Sequence, residues 1–287
     1  MKIRFIINPI SGTGKQKGIE KLISKYFTDY DIYYTKKPGD AKKFSANSVK
    51  NNFDAVVSVG GDGTLNECST SLKNTNTALG VIPCGSGNGF AFHIGMNKHI
   101  DTSLKQIKDS FIKEIDTCYI NKNIFINVSG IGFDAHIAKL FSNLKTRGFI
   151  NYIKLILKEL KYKPKKYNLK YNKIDRNIKA YMISFANASQ YGNNAKISPK
   201  AIIDDGNIDF VIVKDFSKWH IPNFLYKVMN GTINKSNYVE IIREKKMIIT
   251  TKNTLIHLDG ESKKETNPIK IEIIPKSLKI LIPNEQK

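Results

Sequence analysis

Gly60-Gly61-Asp62-Gly63-Thr64-Leu65-Asn66 follows directly on the apolar run Ala55-Val56-Val57-Ser58-Val59. The run has the length and β-branched character of a buried strand, and Thr64–Leu72 continues with helical spacing. A strand, a glycine turn and a helix in that order make one βα unit, which commits this part of the chain to a parallel sheet. Three glycines within four residues also let peptide N–H groups come close to an anion at a helix N-terminus. An aspartate in a loop that only held phosphate would repel its ligand. Asp62 is therefore read as orienting a loop amide or engaging a metal beside the phosphate.

The same alternation runs through the first 120 or so residues. Strands are expected at Lys2–Asn8, Asp31–Thr35, Asp54–Val59 and Ala78–Ile82. Helices are expected at Gly14–Tyr26, Asp40–Asn51, Thr64–Leu72, Asn88–Ile94 and Asp101–Ser110. A sheet of this kind carries helices on both faces and binds ligands outside the carboxyl ends of its strands. Two further glycine loops sit at such ends. Asn8-Pro9-Ile10-Ser11-Gly12-Thr13-Gly14-Lys15 follows the first strand; Lys15 can reach a phosphate, but the spacing is not that of a P-loop. Pro83-Cys84-Gly85-Ser86-Gly87-Asn88-Gly89 follows the fourth, and Ser86 offers a hydroxyl to phosphate or ribose. No His stands in a partner pattern to Cys84, so this loop is not read as a nucleophile site. Each loop alone is compatible with an ordinary turn; together they can share one crevice.

From about Ile115 strand-like runs dominate, interrupted by helical stretches near Ala135–Leu160 and Ile221–Asn230. A β-sandwich or open barrel is expected. The domains are placed at 1–121, α/β, and 122–287, β-rich, with the last strand at 278–283 able to return to the first domain. Late in the chain Asp259-Gly260-Glu261 puts carboxylates on a tight turn at a strand end, and Asp204-Asp205-Gly206-Asn207-Ile208-Asp209 forms an acidic turn. The first can project into a cleft and the second can offer oxygen ligands to a divalent cation; both can equally be solvated hairpin turns.

The 287 residues carry 46 Lys and Arg against 25 Asp and Glu, a net charge of +21. Such a balance favours anionic partners, while the joint abundance of Lys, Ile and Asn also fits coding bias. The excess is concentrated from Lys139 to Lys179, which holds 13 basic residues against two acids. Within it Phe149–Leu160 is amphipathic and leads into Lys161–Lys166. That combination suits either an anionic membrane surface or a solvated lysine face. No apolar run approaches the roughly 20 residues that span a bilayer. Met1–Ile7 is too short for a signal peptide and is read as the first strand. Three cysteines without metal-like spacing point to a reducing, cytoplasmic compartment.

Taken together, these motifs resemble the diacylglycerol kinase and sphingosine kinase superfamily, including its bacterial lipid kinases. The matches are Asn8-Pro9-x-Ser11-Gly12, Thr35 with Gly39-Asp40-Ala41, Gly60–Asn66, Pro83-x-Gly85-Ser86-Gly87-Asn88, Gly132-Phe133-Asp134, Asp205-Gly206 and Asp259-Gly260-Glu261, in the family's order and across nearly the whole chain. Gly-Gly-Asp-Gly alone is shared with NAD kinases and phosphofructokinases. The resemblance implies an NAD kinase/diacylglycerol kinase-like fold: an α/β nucleotide-binding domain, a β-sandwich domain and an active site between them. It implies contacts to ATP from Asn8, Pro9, Ile10, Ser11, Gly12, Thr35, Gly60, Gly61, Asp62, Gly63, Thr64, Leu65, Asn66, Gly85, Ser86 and Asn88. It implies that Glu261 is the base for a lipid hydroxyl and that Asp62 organises water and the catalytic Mg2+. A structural Mg2+ would take the Asp205 side chain and the carbonyls of Ile202 and Asn207. In one departure, Gly89 stands where many bacterial diacylglycerol kinases carry Asp. Gly-Ser-Gly-Asn is nearer the sphingosine kinase form, so a sphingoid base or another lipid alcohol is as credible a substrate as diacylglycerol.

Three functions compete at this point. The first is an ATP-dependent lipid kinase, peripherally membrane-associated, with a lipid alcohol as substrate and no nucleic acid partner. The second is a soluble-substrate kinase resembling NAD kinase. The third is a basic nucleotide- or nucleic-acid-binding protein without catalysis, against which stand the absence of aromatic-rich RNA-binding motifs and the presence of each expected carboxylate. The oligomeric state is open, a homodimer among the options.

Overall fold

The computed structural model describes residues 1–12, 14, 16–144 and 148–284, and of Phe149 and Ile150 the backbone alone. Lys15, expected near a phosphate, lies outside the described residues, as do Lys145 and Arg147 of the basic segment. The chain divides into two compact units, one of Met1–Ile115 with the C-terminal segment from Lys276, the other of Asp116–Pro275.

The first unit is built on the strands β1 (Ile3–Ile7), β2 (Tyr30–Tyr34), β3 (Ala55–Gly60) and β4 (Ala78–Pro83). They are parallel and ordered β2-β1-β3-β4. Ile3, Phe5, Ile6 and Ile7 on β1 and Val56, Val57 and Val59 on β3 are buried, as expected where helices cover both faces. The helices are α1 (Ile19–Tyr26), α2 (Asp40–Lys50), α3 (Asp62–Leu72), α4 (Gly89–His93) and α5 (Ile100–Lys108). α1 is shorter than the expected Gly14–Tyr26, because Gly18 before it is left-handed at φ 72°. The chain leaves β1 towards β2 and returns to β3 on β1's other side. The switch in direction therefore falls between β1 and β3, the position at which open α/β sheets bind ligands.

Strand β5 (Phe111–Ile120) carries the chain into the second unit. There follow β6 (Asn123–Phe125), β7 (Val128–Gly132), α6 (Phe133–Ser142), α7 (Phe149–Lys158), β8 (Lys165–Tyr171), β9 (Ile174–Ala186) and β10 (Ile208–Lys214). After a 3₁₀ turn at Lys218–His220 come α8 (Ile221–Met229), β11 (Val239–Glu244), β12 (Lys246–Thr250), β13 (Leu255–Leu258), β14 (Glu261–Lys264) and β15 (Ile269–Ile282). The helical stretch expected over 135–160 is two helices. The last two expected strands are one, and β15's end returns to the first unit, pairing parallel with β4 at Ile280 and Leu79.

Pairing within the second unit is antiparallel, with β9 bonded to β7, β8 and β10. Tyr167, Phe185, Phe210, Ile249, Ile256 and Ile271 share its main core. Val128, Met182, Val211, Val213 and Val228 form a second cluster with Phe133, Phe216 and Phe224 packed against it. Of the two architectures expected, sandwich or open barrel, this is the β-sandwich. Among the described residues no helix is long and apolar enough to cross a membrane.

Candidate functional site

In the first unit the three glycine loops touch. Asn8 ties the first loop to the second: its N–H donates to the Val59 carbonyl at 2.9 Å and its Nδ2 to Thr64 Oγ1 at 3.1 Å. Cys84 ties the third to the second by donating to the Gly60 carbonyl at 2.8 Å. The backbones are so close that side chains would not fit. A Cβ on Gly85 would lie 2.5 Å from Gly61 Cα, and one on Gly12, at φ +60°, would lie 2.0 Å from the Cys84 carbonyl oxygen. These glycines are needed for the approach of loop to loop as well as for access by a ligand.

Within this crevice the expected nucleotide contacts separate by exposure. Ser11, Gly61, Asp62, Gly63, Asn66, Gly85 and Ser86 are part-exposed, and Pro9, Ile10 and Gly12 are exposed. Thr35 sits beside them through its N–H bond to the Ile7 carbonyl at 2.9 Å. Leu65 is buried in the core. Asn88 is buried too, and its side-chain amide closes the third loop: Oδ1 accepts from Gly85 N and Nδ2 donates to Gly85 O, both at 2.8 Å. Leu65 and the Asn88 side chain thus serve by shaping the crevice. The start of α3 borders it, where the helix dipole favours an anion. Asp62 is the first residue of α3, and its Oδ2 accepts the Asn88 N–H at 2.9 Å. Its oxygen donors suit a hard cation bound with phosphates.

Two supports escaped the sequence pattern. Gln16, 3% exposed, donates to the carbonyls of Asn8 at 2.6 Å and Ser11 at 3.2 Å, fixing the first loop. Glu67, on α3, accepts from Gly39 N at 2.8 Å and Ala41 N at 3.1 Å. It caps α2 from outside, where Gly39 provides no side-chain cap. A polar residue in a helix gives no sequence signal of which distant backbone it will satisfy.

The second unit holds an apolar cavity of about 270 Å³. Phe133, Ile153, Ile156, Met182, Phe216 and Phe224 contribute to its wall. Besides Glu159, its polar lining includes a buried cluster around Asp134, which together with Tyr191 borders the cavity. Asp134 Oδ2 accepts from Ser184 Oγ at 3.1 Å, Tyr191 OH at 3.3 Å and His257 Nε2 at 3.2 Å. His257 Nδ1 accepts the Gly260 N–H at 3.2 Å, so the ring proton belongs on Nε2, facing Asp134. Burial, then the Asp134 charge, hold the Tyr191 hydroxyl well above its ordinary pKa and keep it a donor. Asp134 belongs to a motif noted in the sequence; Ser184, Tyr191 and His257 do not.

His257 leads into the Asp259-Gly260 turn between β13 and β14, with φ of 46° and 94°. That conformation is the usual two-residue hairpin turn. Asp259 is 7% exposed, and its carboxylate accepts from Asn127 N at 3.0 Å and Ile126 N at 3.1 Å. The turn is thereby anchored. Glu261 opens β14 with its side chain exposed. Of the two carboxylates, Asp259 builds the turn and Glu261 is the one presented to solvent.

At the acidic turn Asp205 Oδ1 accepts Asn207 N at 2.9 Å and its Oδ2 lies 3.6 Å from an Arg243 nitrogen. Asp116 Oδ2 accepts Gly206 N at 2.7 Å. Among the described residues no three His, Cys, Asp or Glu side chains gather as a metal site. A cation here would rest on the Asp205 carboxylate and the carbonyls of Ile202 and Asn207. These are hard oxygen donors, with Arg243 already sharing the carboxylate's charge.

Residues 2–120 match the diacylglycerol kinase catalytic domain, and residues 127–282 the YegS C-terminal NAD kinase beta sandwich-like domain. Similar chains include a probable lipid kinase YegS-like from Shewanella frigidimarina, 27% identical over 88% of this chain and 84% of its own. The probable lipid kinase YegS of Escherichia coli O6:K15:H31 is 29% identical over 88% and 86%. In fold, the chain superposes on a crystal structure of a diacylglycerol kinase from Bacillus anthracis with a TM-score of 0.75 at 22% identity, covering 99% of this chain and 97% of the other.

Proposed function

The chain belongs to the diacylglycerol kinase family in its YegS-type branch, and from that premise we propose that it transfers the γ-phosphate of ATP to the hydroxyl of a lipid alcohol. The observation that carries the lipid half of this reading is the apolar cavity of the second unit, bordered by Asp134 and Tyr191. An acceptor such as NAD, charged and polar throughout, has no use for such a wall. A lipid alcohol places its chain against the aliphatic and aromatic side chains and leaves its hydroxyl outside them.

In this reading the crevice of three glycine loops holds ATP. Peptide N–H groups and the start of α3 receive the phosphates, and Ser11 and Ser86 supply hydroxyls. Asp62 would hold Mg2+, which neutralises phosphate charge. Glu261 takes the proton of the lipid hydroxyl as its oxygen bonds to the γ-phosphorus; the bond from that phosphorus to the bridging oxygen breaks, and ADP leaves with the electron pair. Positioning and charge neutralisation supply most of the rate in such a transfer. Asp205 with the Ile202 and Asn207 carbonyls would hold a structural Mg2+ outside these steps. The basic segment around α7 supports a peripheral position on anionic membranes, where the substrate resides.

Labelled ATP and Mg2+ are incubated with the protein and with diacylglycerol, a monoacylglycerol, a sphingoid base or NAD. Labelled phospholipid is expected, and the strongest acceptor names the substrate. Labelled NADP alone would assign the soluble-substrate reading; no labelled product from any acceptor would remove the kinase proposal.

A further inference from the structure

Trp219, the only tryptophan of the chain, is 91% exposed. It stands in the 3₁₀ turn Lys218–His220 that leads into α8, where Tyr226 is 65% exposed. Water is a costly place for the largest apolar side chains. Trp and Tyr collect instead at membrane interfaces, where an apolar ring and a polar tip are both accommodated. The other side of α8 turns inward, and there Ile221, Phe224 and Leu225 line the apolar cavity. Tyr226 and this part of the cavity wall therefore share α8, with Trp219 in the turn that leads into it.

α7 repeats the arrangement. Ile153 and Ile156 line the same cavity, while Lys154, Leu157, Lys158 and Lys161 are exposed. Lys154, Leu157 and Lys158 are spaced as one stripe along the helix, with Lys161 in the turn just after it and Leu157, 50% exposed, bracketed by lysines. Charge selects the partner. From Phe216 to Val239 the chain has Lys218, Lys227 and Lys235 and no acid. The one acid of the α7 segment, Glu159, is bonded to His136 at 2.8 Å. Exposed aromatic and aliphatic side chains set among unopposed lysines fit an anionic bilayer, whose headgroups meet the amines while the rings enter the interface.

We propose that Trp219 and Tyr226, with the lysine-flanked stripe of α7, form a bilayer anchor that seats the mouth of the apolar cavity on anionic membrane. A lipid then passes from bilayer to cavity with little of its chain exposed to water. This deepens the lipid-kinase reading and rests on it for the identity of the cavity's ligand, though the anchor itself is measurable without catalysis.

The single tryptophan is the probe. The protein is titrated with vesicles of phosphatidylcholine alone, or of phosphatidylcholine with phosphatidylglycerol, in ordinary and chain-brominated forms. Anionic vesicles should shift Trp219 emission to the blue, and brominated chains should quench it. Sedimentation should show binding that weakens with salt and falls about fivefold for each of Lys154→Gln and Lys158→Gln. Trp219→Ser should keep its melting temperature and its activity on detergent-dispersed lipid while losing most vesicle binding. Unshifted, unquenched emission on vesicles that bind the protein would overturn the anchor, as would undiminished sedimentation of Trp219→Ser. Binding that is equally strong on neutral vesicles would overturn the lysine contribution. If quenching occurs but no lipid is phosphorylated, the anchor stands and the kinase reading fails; product without quenching gives the reverse.

Discussion

The backbone N–H of Asn88 donates to Asp62 Oδ2 at 2.9 Å, so the third glycine loop sets the orientation of the carboxylate that opens α3. Asn88 is itself held left-handed at φ 57°, a conformation Asn tolerates better than most residues. Asp62→Ala should lower phosphoryl transfer at least ~10²-fold, the usual scale for removing one group that stabilises transition-state charge. Asp62→Asn separates charge from geometry, since its amide oxygen can still accept from Asn88. Activity lost in Asp62→Asn with an unchanged melting temperature assigns the effect to charge; full activity in that variant would remove Asp62 from the chemistry.

Close packing of the loops gives a second prediction. Gly85→Ala puts a methyl against the Gly61 backbone, and Gly12→Ala does the same against Cys84. Neither obstacle is a flexible side chain. Each variant should therefore lose nucleotide affinity by tenfold or more as the loops are pushed apart. Among the described residues Gly14→Ala meets nothing within 4 Å and carries only the strain of its φ of +72°, about 1 kcal/mol. Titration with a fluorescent ATP analogue compares the three. Equal affinity in Gly85→Ala and wild type would show that the crevice does not depend on this contact.

How much of this is legible in the sequence depends on the range of the interaction. The parallel sheet and its loops are readable because strand, turn and helix are local patterns, and the three motifs had to fall at carboxyl ends once the strands were parallel. The ordered motifs likewise point to Asp62 and Glu261. Asp259, close to Glu261 in sequence, cannot be told from a second catalytic carboxylate until its bonds to Ile126 and Asn127, more than 130 residues away, are visible. Ser184, Tyr191 and His257 converge on Asp134 from separate parts of the chain, and no spacing encodes that meeting. β14, with the sequence Glu-Ser-Lys-Lys, has no apolar alternation and so gives no strand signal.

Acid should weaken the fold through His93. This residue ends α4, directly after the third glycine loop, and burial lowers its pKa from 6.5 to about 4. Between those values the unfolded chain takes up a proton that the folded chain refuses, so stability falls as pH falls through that window. Above about 6.5 both states are neutral and the contribution is flat. The full drop is about 3 kcal/mol. Urea denaturation of wild type and His93→Gln at pH 4.5 and 7 measures it: the variant should lose less stability on acidification. Parallel losses in the two proteins would clear His93.

Asp134 receives three side-chain donors inside the second unit. Asp134→Ala leaves the hydroxyls of Ser184 and Tyr191 and the Nε2–H of His257 without their common acceptor. Ser184 Oγ and Tyr191 OH lie 2.7 Å apart, so one of the two hydroxyls can still donate to the other; with two donors left at about 1–3 kcal/mol each, a loss of at least about 2 kcal/mol is expected in chemical denaturation. Asp134→Asn retains one oxygen and should lose less. An Asp134→Ala protein as stable as wild type would mean that water replaces the carboxylate at this end of the cavity.

Glu261 and Asp259 allow the base assignment to be tested against its own neighbour. Asp259 is buried and spends its oxygens on two backbone amides, while Glu261 is exposed at the start of β14. A general base contributes roughly 10²–10⁴-fold. Glu261→Gln keeps the shape and removes the basic oxygen, so kcat should fall by about that factor with the melting temperature unchanged. ATP affinity should also persist, since the glycine loops proposed to hold it belong to the first unit. Asp259→Asn should do the opposite in kind. It replaces one of two acceptors by a donor that faces a backbone N–H, and so destabilises the turn, lowering the melting temperature and activity together. Rate measured under lipid saturation, alongside thermal melts, distinguishes the two. If Glu261→Gln retains wild-type kcat, or loses activity only in proportion to lost stability, the base must be sought elsewhere.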